Sequence, residues 1–395
     1  MIAALPCDPP DRWPRDDWGE SLYSGAAGVL LLQVERARRG EGCWSTVERW
    51  AATTWRGGLK ANPRSCGLYR GVPAVAFALS GSPVPEHRAV LAELDSRLSE
   101  IVHARLGGAY QRMQQGVLPA VAEYDLIRGL TGLGVCCLRR GRVEDLQHIL
   151  KYFVDLCEPL QHGGYAVPGW WACHGPEGSE RGVFGNGHGN MGMAHGIAGP
   201  LALMAIAMRK GIVVGGQSDA MAGLCAFYDV IAVPTAVGAW WPGVVTWEEL
   251  TAGAVTRSAL EVPSWCYGLA GIVRAQHLAA LALGDHIRQR RLETTLAGWL
   301  ASDGLWSLFN NPFVCHGVAG LMLVAQRMQL EARIDVLGDG CNLLQRHLQN
   351  SVVALSQPVG SELLTGAAGL HLACLGGDGA RDELAGWGSC LLLNG

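Results

Sequence analysis

Charge is what this sequence has least of. Only 17% of its 395 residues are charged, 31 Lys and Arg against 35 Asp and Glu, for a net charge of −4. Like charges never run five in a row and no basic segment stands out, so nucleic acid is not an expected partner. The N-terminus, MIAALPCDPPDRWPRDDWGE, lacks the basic region and long apolar stretch of a secretory signal. The most apolar stretch, residues 192–215, contains His195, Pro200, Arg209 and Lys210, which excludes a membrane span and reads as buried helix. The expected location is the cytoplasm. Strand-like alternation is also scarce. Cysteine is not: there are 13. The count is odd, the chain is long, and Cys136, Cys137, Cys225 and Cys374 sit inside apolar runs. Buried reduced thiols fit this better than a disulfide framework.

Against this background one element recurs. SGAAGVLLLQVERAR (24–38), CGLYRGVPAVAFAL (66–79), YDLIRGLTGLGVCCLRR (124–140), MAHGIAGPLALMAIAMRK (193–210), WCYGLAGIVRAQHLAAL (265–281), VCHGVAGLMLVAQRM (314–328) and LLTGAAGLHLACL (363–375) each carry Gly-x-x-Gly before about three apolar helical turns, with Ala74 replacing the last glycine of the second. The first glycines are 25, 71, 129, 196, 268, 317 and 366, spaced by 46, 58, 67, 72, 49 and 49 residues. Such a period signals a repeat architecture and overrides a domain count based on length. Between the elements, 84–105, 141–157, 286–302 and 329–349 show apolar positions three and four apart, as amphipathic helices do. An open solenoid needs polar caps at its ends. Here the first and last elements are as apolar as the middle ones. The expectation is therefore an all-α, α/α toroid of about seven inner and seven outer helices. It would form a single domain over 1–395, with rim insertions near 158–190 and 233–263.

In a closed ring, the residues just before each first glycine share one rim. They read Tyr23-Ser24, Tyr69-Arg70, Ile127-Arg128, Ala194-His195, Cys266-Tyr267, Cys315-His316 and Leu364-Thr365. Two thiols and an imidazole on adjacent loops suit a tetrahedral zinc site with its fourth position open. Cys315 and His316 cannot share a helix face, but on the turn before a helix both can face one ion. Taken singly, each of these residues reads as core; register with the repeat is what sets them apart. A second Cys-His pair, Cys173-His174, lacks the Gly-x-x-Gly and lies in a loop rich in Gly, Trp and Pro, where a metal is not expected.

SWCYGLAG (264–271), VCHGVAG (314–320), MAHGIAG (193–199) and YDLIRGLTG (124–132) closely resemble the lanthipeptide cyclases, the LanC-like proteins. The resemblance extends to SLYSGAAG (21–28) and LLTGAAG (363–369), and is to the free-standing type. It implies one zinc, held by Cys266, Cys315 and His316, and the addition of precursor-peptide Cys thiols to dehydroalanine or dehydrobutyrine. The products are (methyl)lanthionine thioether rings. His195 and Asp125 match the acid/base positions, and Tyr267 is a candidate hydrogen-bond donor beside the metal. Asp125 equally suits a helix cap. The implied partners are the dehydrated precursor and a membrane-associated complex with a dehydratase and a transporter. Members often carry an arginine a few residues before WCYG, where this chain has Val262; Arg257 and Arg128 are the candidates to fill that role. The insertions hold Trp170, Trp171, Trp240 and Trp241, which would either line a peptide groove or cap the barrel mouth. A prenyltransferase-like zinc toroid is a weaker reading, because its Asp-Cys-His ligand set lacks the second Cys. A LanC-like protein that binds glutathione or a partner peptide without catalysis is the alternative from another class.

Overall fold

The computed structural model describes residues 8–11, 16–176, 178, 182–257, 261–353, 355, 359–375 and 386–394. Its helices alternate strictly. α1 (Ala26–Arg38) is followed by α2 (Trp44–Thr54), and α3 (Val72–Leu79) by the long α4 (Pro85–Gln114). After the one-turn α5 (Val121–Tyr124) come α6 (Leu130–Arg139) and α7 (Val143–Leu156), then α8 (Ala198–Arg209) and α9 (Gln217–Val230). The short α10 (Trp247–Ala252) precedes α11 (Leu269–Leu283) and α12 (His286–Leu300). The one-turn α13 (Asp303–Trp306) leads to α14 (Val318–Glu331), α15 (Gly338–Val353) and α16 (Ala367–Leu375).

The seven glycine-led helices α1, α3, α6, α8, α11, α14 and α16 touch in that order, and α16 returns to α1, so the ring is closed. They are apolar on almost every side; all residues of α11 from Leu269 to Ala280 are buried. Such helices are stable only when surrounded. α2, α4, α7, α9, α12 and α15 form the outer layer, each against its own inner partner. The place of a seventh outer helix, residues 376–385, lies outside the described residues. α2 and α9 are outer helices that the periodicity did not single out. The segment expected as helix over 329–349 divides instead. α14 runs on to Glu331, and the Asp335 carboxylate accepts the Gly338 N–H (2.9 Å) where α15 begins.

The glycines permit close approach. A Cβ on Gly320 would lie 2.1 Å from the Val314 carbonyl oxygen and 3.1 Å from Trp265 Cβ of the preceding repeat. On Gly271 it would meet the Trp265 carbonyl oxygen at 2.0 Å and Met193 Cβ at 2.7 Å. The second glycine thus lets each inner helix fold back on its own leading turn and against the neighbouring one.

The leading turns are joined by backbone bonds into a rim. Leu22 N–H donates to Tyr69 O (3.0 Å), Leu126 to Ala194 (3.0 Å), Ala194 to Cys266 (3.1 Å), Cys266 to Cys315 (3.4 Å), Cys315 to Leu364 (2.9 Å) and Leu363 to Tyr23 (3.0 Å). Among the described residues, only the second and third turns lack such a link. Inside the ring, residues 387–393 are almost wholly buried. The Cys390 carbonyl accepts the Tyr69 hydroxyl (2.7 Å) and the Leu391 carbonyl accepts the Trp265 indole N–H (2.9 Å), so this segment spans from the second repeat to the fifth.

The two insertions meet on the rim. Each has a small antiparallel hairpin, β1 (Leu160–His162) with β2 (Tyr165–Val167) in the first, and β4 (Val233–Thr235) with β5 (Gly238–Trp240) in the second. β3 (Gly189–Asn190) pairs with β6 (Val244–Val245) and ties one insertion to the other. Trp170, Trp171, Trp240 and Trp241 are all buried. Trp170 packs edge-on against Phe227, Trp240 against Trp299, and the Trp241 indole N–H donates to Tyr228 O (2.9 Å). Trp170, Trp240 and Trp241 thus anchor the insertions to α9 and α12, while the Trp171 indole N–H donates to Asn186 O (2.8 Å) and its ring packs edge-on against Trp247 of the second insertion. No helix among the described residues is long and apolar enough to cross a membrane.

Candidate metal centre

Cys266 and Cys315 occupy the same position of adjacent repeats, two residues before the first glycine, and the backbone bond between them holds their turns side by side. His316 follows Cys315 on the turn that ends where α14 begins. One donor atom from each of the three lies within 4.8 Å of the other two, and Cys315 Sγ is 3.9 Å from His316 Nε2. Tetrahedral zinc, with Zn–S near 2.3 Å and Zn–N near 2.05 Å, needs S···S of about 3.8 Å and S···N of about 3.6 Å. The donor set fits in both chemistry and spacing. The thiols are buried and the imidazole is exposed, so the cluster opens outward.

Electrostatics couple the three donors. Hydrogen bonding from the Cys315 thiol holds Cys266 down at about 5, against its burial. Cys315 gives that bond and is held up correspondingly. The Cys266 thiolate also raises His316, which burial opposes. The Ser264 hydroxyl lies 3.5 Å from Cys266 Sγ, and its oxygen accepts the Tyr267 N–H (3.2 Å).

On the repeat preceding that of Cys266, His195 stands one residue before its glycine. Its Nδ1 is 2.7 Å from Asp125 Oδ2, and Asp125 is completely buried. The other oxygen, Oδ1, accepts the N–H groups of Arg128 (2.6 Å) and Gly129 (2.7 Å) at the start of α6. Asp125 is therefore both a cap and the partner of His195, one oxygen for each. The Tyr267 ring lies 5.7 Å from the His195 ring. Burial raises the Tyr267 hydroxyl, an Asn190 hydrogen bond opposes this, and the Cys266 and Asp125 charges add to it.

Of the two arginine candidates, Arg128 is the one beside this group, with Nε 3.8 Å from Asp125 Oδ2. Arg257 is engaged elsewhere, by Glu249 (2.7 Å) and the Val244 carbonyl. His174 is held by the Gly175 carbonyl (2.7 Å), and its Nε2 accepts the Val121 N–H (3.4 Å). The Cys173-His174 pair is not part of a metal-competent group among the described residues.

A closed double ring of helices with a Cys-Cys-His cluster on its rim defines a class: an α/α toroid with a thiol-rich site able to hold a metal. A family model for lanthionine synthetase C-like proteins matches residues 16–376, and the chain belongs to that family. It is 25% identical over 207 residues to the nisin biosynthesis protein NisC of Lactococcus lactis subsp. lactis, a match covering 51% of this chain and 48% of that protein. The matched part thus spans about half the length of this curated relative. The solved structure of nisin cyclase shares the fold, with a TM-score of 0.80 over 95% of this chain and 93% of that one, at 20% identity.

Proposed function

We propose that this chain is a zinc-dependent peptide cyclase that joins Cys thiols to dehydroalanine or dehydrobutyrine residues of the same precursor peptide. The observation that carries the reading is the meeting, on one rim, of a Cys-Cys-His cluster with a histidine paired to a buried carboxylate. Cys266, Cys315 and His316 would hold the zinc. When bound by three protein ligands, zinc supplies an open position at which a peptide thiol loses its proton near neutral pH.

The chain's own residues manage protons. Addition of the sulfur to the β-carbon leaves an enolate, which must gain one proton at the α-carbon. With Nδ1–H donated to Asp125, His195 keeps Nε2 for that transfer, and the carboxylate stabilises the imidazolium that precedes it. Tyr267, whose ring lies 5.7 Å from that of His195, would donate a hydrogen bond beside the cluster. A protein that only holds glutathione or a partner peptide would need the cluster but not the His195–Asp125 pair, which favours catalysis. We place the reaction in the cytoplasm, with a dehydratase supplying the dehydrated peptide and a transporter removing the product.

The test separates metal from proton. The purified chain should contain about one zinc, and Cys315→Ala should lose most of it; full retention in that variant sinks the ligand assignment. His195→Ala should keep zinc and slow cyclisation by ~10²-fold or more, read by mass spectrometry after thiol alkylation of a dehydrated precursor. Unchanged turnover removes His195 as the acid.

A further inference from the structure

The seam of the rim that lacks a backbone bond, between the second and third leading turns, opens into a cleft of about 490 Å³. Four arginines line it, Arg64, Arg70, Arg105 and Arg128, against one carboxylate, Asp17. This is a strong local excess of positive charge in a chain of net charge −4. Arg70 and Arg128 stand one residue before the first glycine of their repeats, the position that His195, Tyr267 and His316 hold further round the ring. The rim thus has an arginine sector and a metal sector. They adjoin where Arg128 approaches Asp125, the partner of His195.

The guanidiniums differ in their engagement. Arg105 donates to the carbonyls of Pro63 (3.1 Å), Ala122 (2.6 Å) and Arg128 (2.9 Å), so it staples the open seam and stands as a fixed cationic wall. Arg70 pairs with Asp17 (3.1 Å), with both side chains partly exposed. Arg64 is exposed and, among the described residues, makes no ion pair. Guanidinium forks match carboxylates two hydrogen bonds at a time, and exposed charges at one end of a cleft draw the opposite charge to it. Because the arginines come from a turn, an outer helix and two leading turns, they offer several separated points of contact. One terminal carboxylate would fill only one of them.

The structure assigns this cleft as a subsite for an acidic stretch of the peptide substrate, in which side-chain carboxylates seat on the arginine sector while a neighbouring segment lies over the metal sector. The assignment rests on the proposed peptide substrate but not on its cyclisation. Binding can therefore be tested without turnover. The probes are a fluorescein-labelled ten-residue peptide with four Glu, its counterpart with four Gln, and the Glu peptide with an amidated C-terminus, followed by fluorescence anisotropy on the full chain. The variants are Arg64→Gln/Arg70→Gln and, as a remote control on the exposed face of α4, Arg88→Gln.

The Glu peptide should bind at least about tenfold tighter than the Gln peptide, and should do so equally well when amidated. The Arg64→Gln/Arg70→Gln variant should lose that preference, whereas Arg88→Gln should keep it. Raising salt should weaken the acidic peptide selectively. Equal binding of the Glu and Gln peptides, retained preference in the double variant, loss of binding on amidation, or equal affinity for a ten-residue oligothymidylate would each overturn the assignment. A chain that binds the acidic peptide yet forms no thioether would refute the cyclase reading and leave the subsite standing.

Discussion

Asp125 offers the sharpest test, because its two oxygens do different work. Replacement by Ala removes both. The N–H groups of Arg128 and Gly129 then lose a charged acceptor whose carboxylate is itself completely buried. Hydrogen bonds to charged groups are worth about 1.5–3 kcal/mol each, so Asp125→Ala should cost about 3–6 kcal/mol. Asp125→Asn keeps a carbonyl oxygen for the cap and should cost only about 1–2 kcal/mol. Its amide, however, presents N–H groups to His195 Nδ1, which favours the tautomer with the proton on Nε2 and gives no charge to support the imidazolium. Both variants should therefore lose the general-acid contribution, about 10² to 10⁴ in rate. The assay pairs thermal unfolding with single-turnover cyclisation of a dehydrated peptide, on protein whose zinc content has been checked. Rates should fall together while stabilities separate. If Asp125→Asn cyclises at the wild-type rate, or if rate simply follows stability across the two variants, Asp125 is a cap and nothing more.

Three other outcomes test the scaffold. Burial pushes the Glu331 carboxyl up, but Arg274 and Arg209 outweigh it and hold the group down at about 2. That pairing should contribute about 3 kcal/mol of stability above pH ~4.5, lost as pH falls towards ~2; Glu331→Gln should flatten this limb of the acid-unfolding curve, and an unchanged limb refutes it. Gly320→Ala drives a Cβ into the Val314 carbonyl, so denaturant titration should show a loss of about 1–3 kcal/mol, with weaker zinc retention because Cys315 and His316 ride on the same turn. Leu391→Ala, in the segment within the ring, should cost about 2–5 kcal/mol; a loss below about 1 kcal/mol would mean that the segment does not fill the interior.

The ring and its rim were legible in the sequence because the governing signal is local and repeated. Gly-x-x-Gly marks each inner helix, and its register alone aligned Cys266 with Cys315 and set His195 on the same level. Features built from distant residues were not legible. Arg64, Arg70, Arg105 and Arg128 form a cleft only after four segments are brought together. The burial of Trp170, Trp240 and Trp241 depends on which outer helices lie beneath them, and that of Trp171 on the meeting of the two insertions. The boundary near residue 335 was misread because Leu330, Ile334 and Val336 continue an apolar spacing that the Asp335 cap interrupts. Residues 387–391, a short 3₁₀ turn without helical periodicity, gave no hint of lying inside the ring.

Under the proposed cyclase function, that last segment bears on how a product would leave. A ring of helices invites the picture of a tunnel through which a chain is threaded. Here the interior holds the protein's own backbone, bridged from Tyr69 to Trp265. A ring filled in this way would work as a bowl with a floor rather than as a tunnel. A peptide that has just been tied into a loop cannot be drawn through a hole narrower than itself, but it can be lifted out of a bowl. Each new crosslink would leave the peptide bulkier, and an open-faced site would set no limit on how many loops it already carries when it returns for the next.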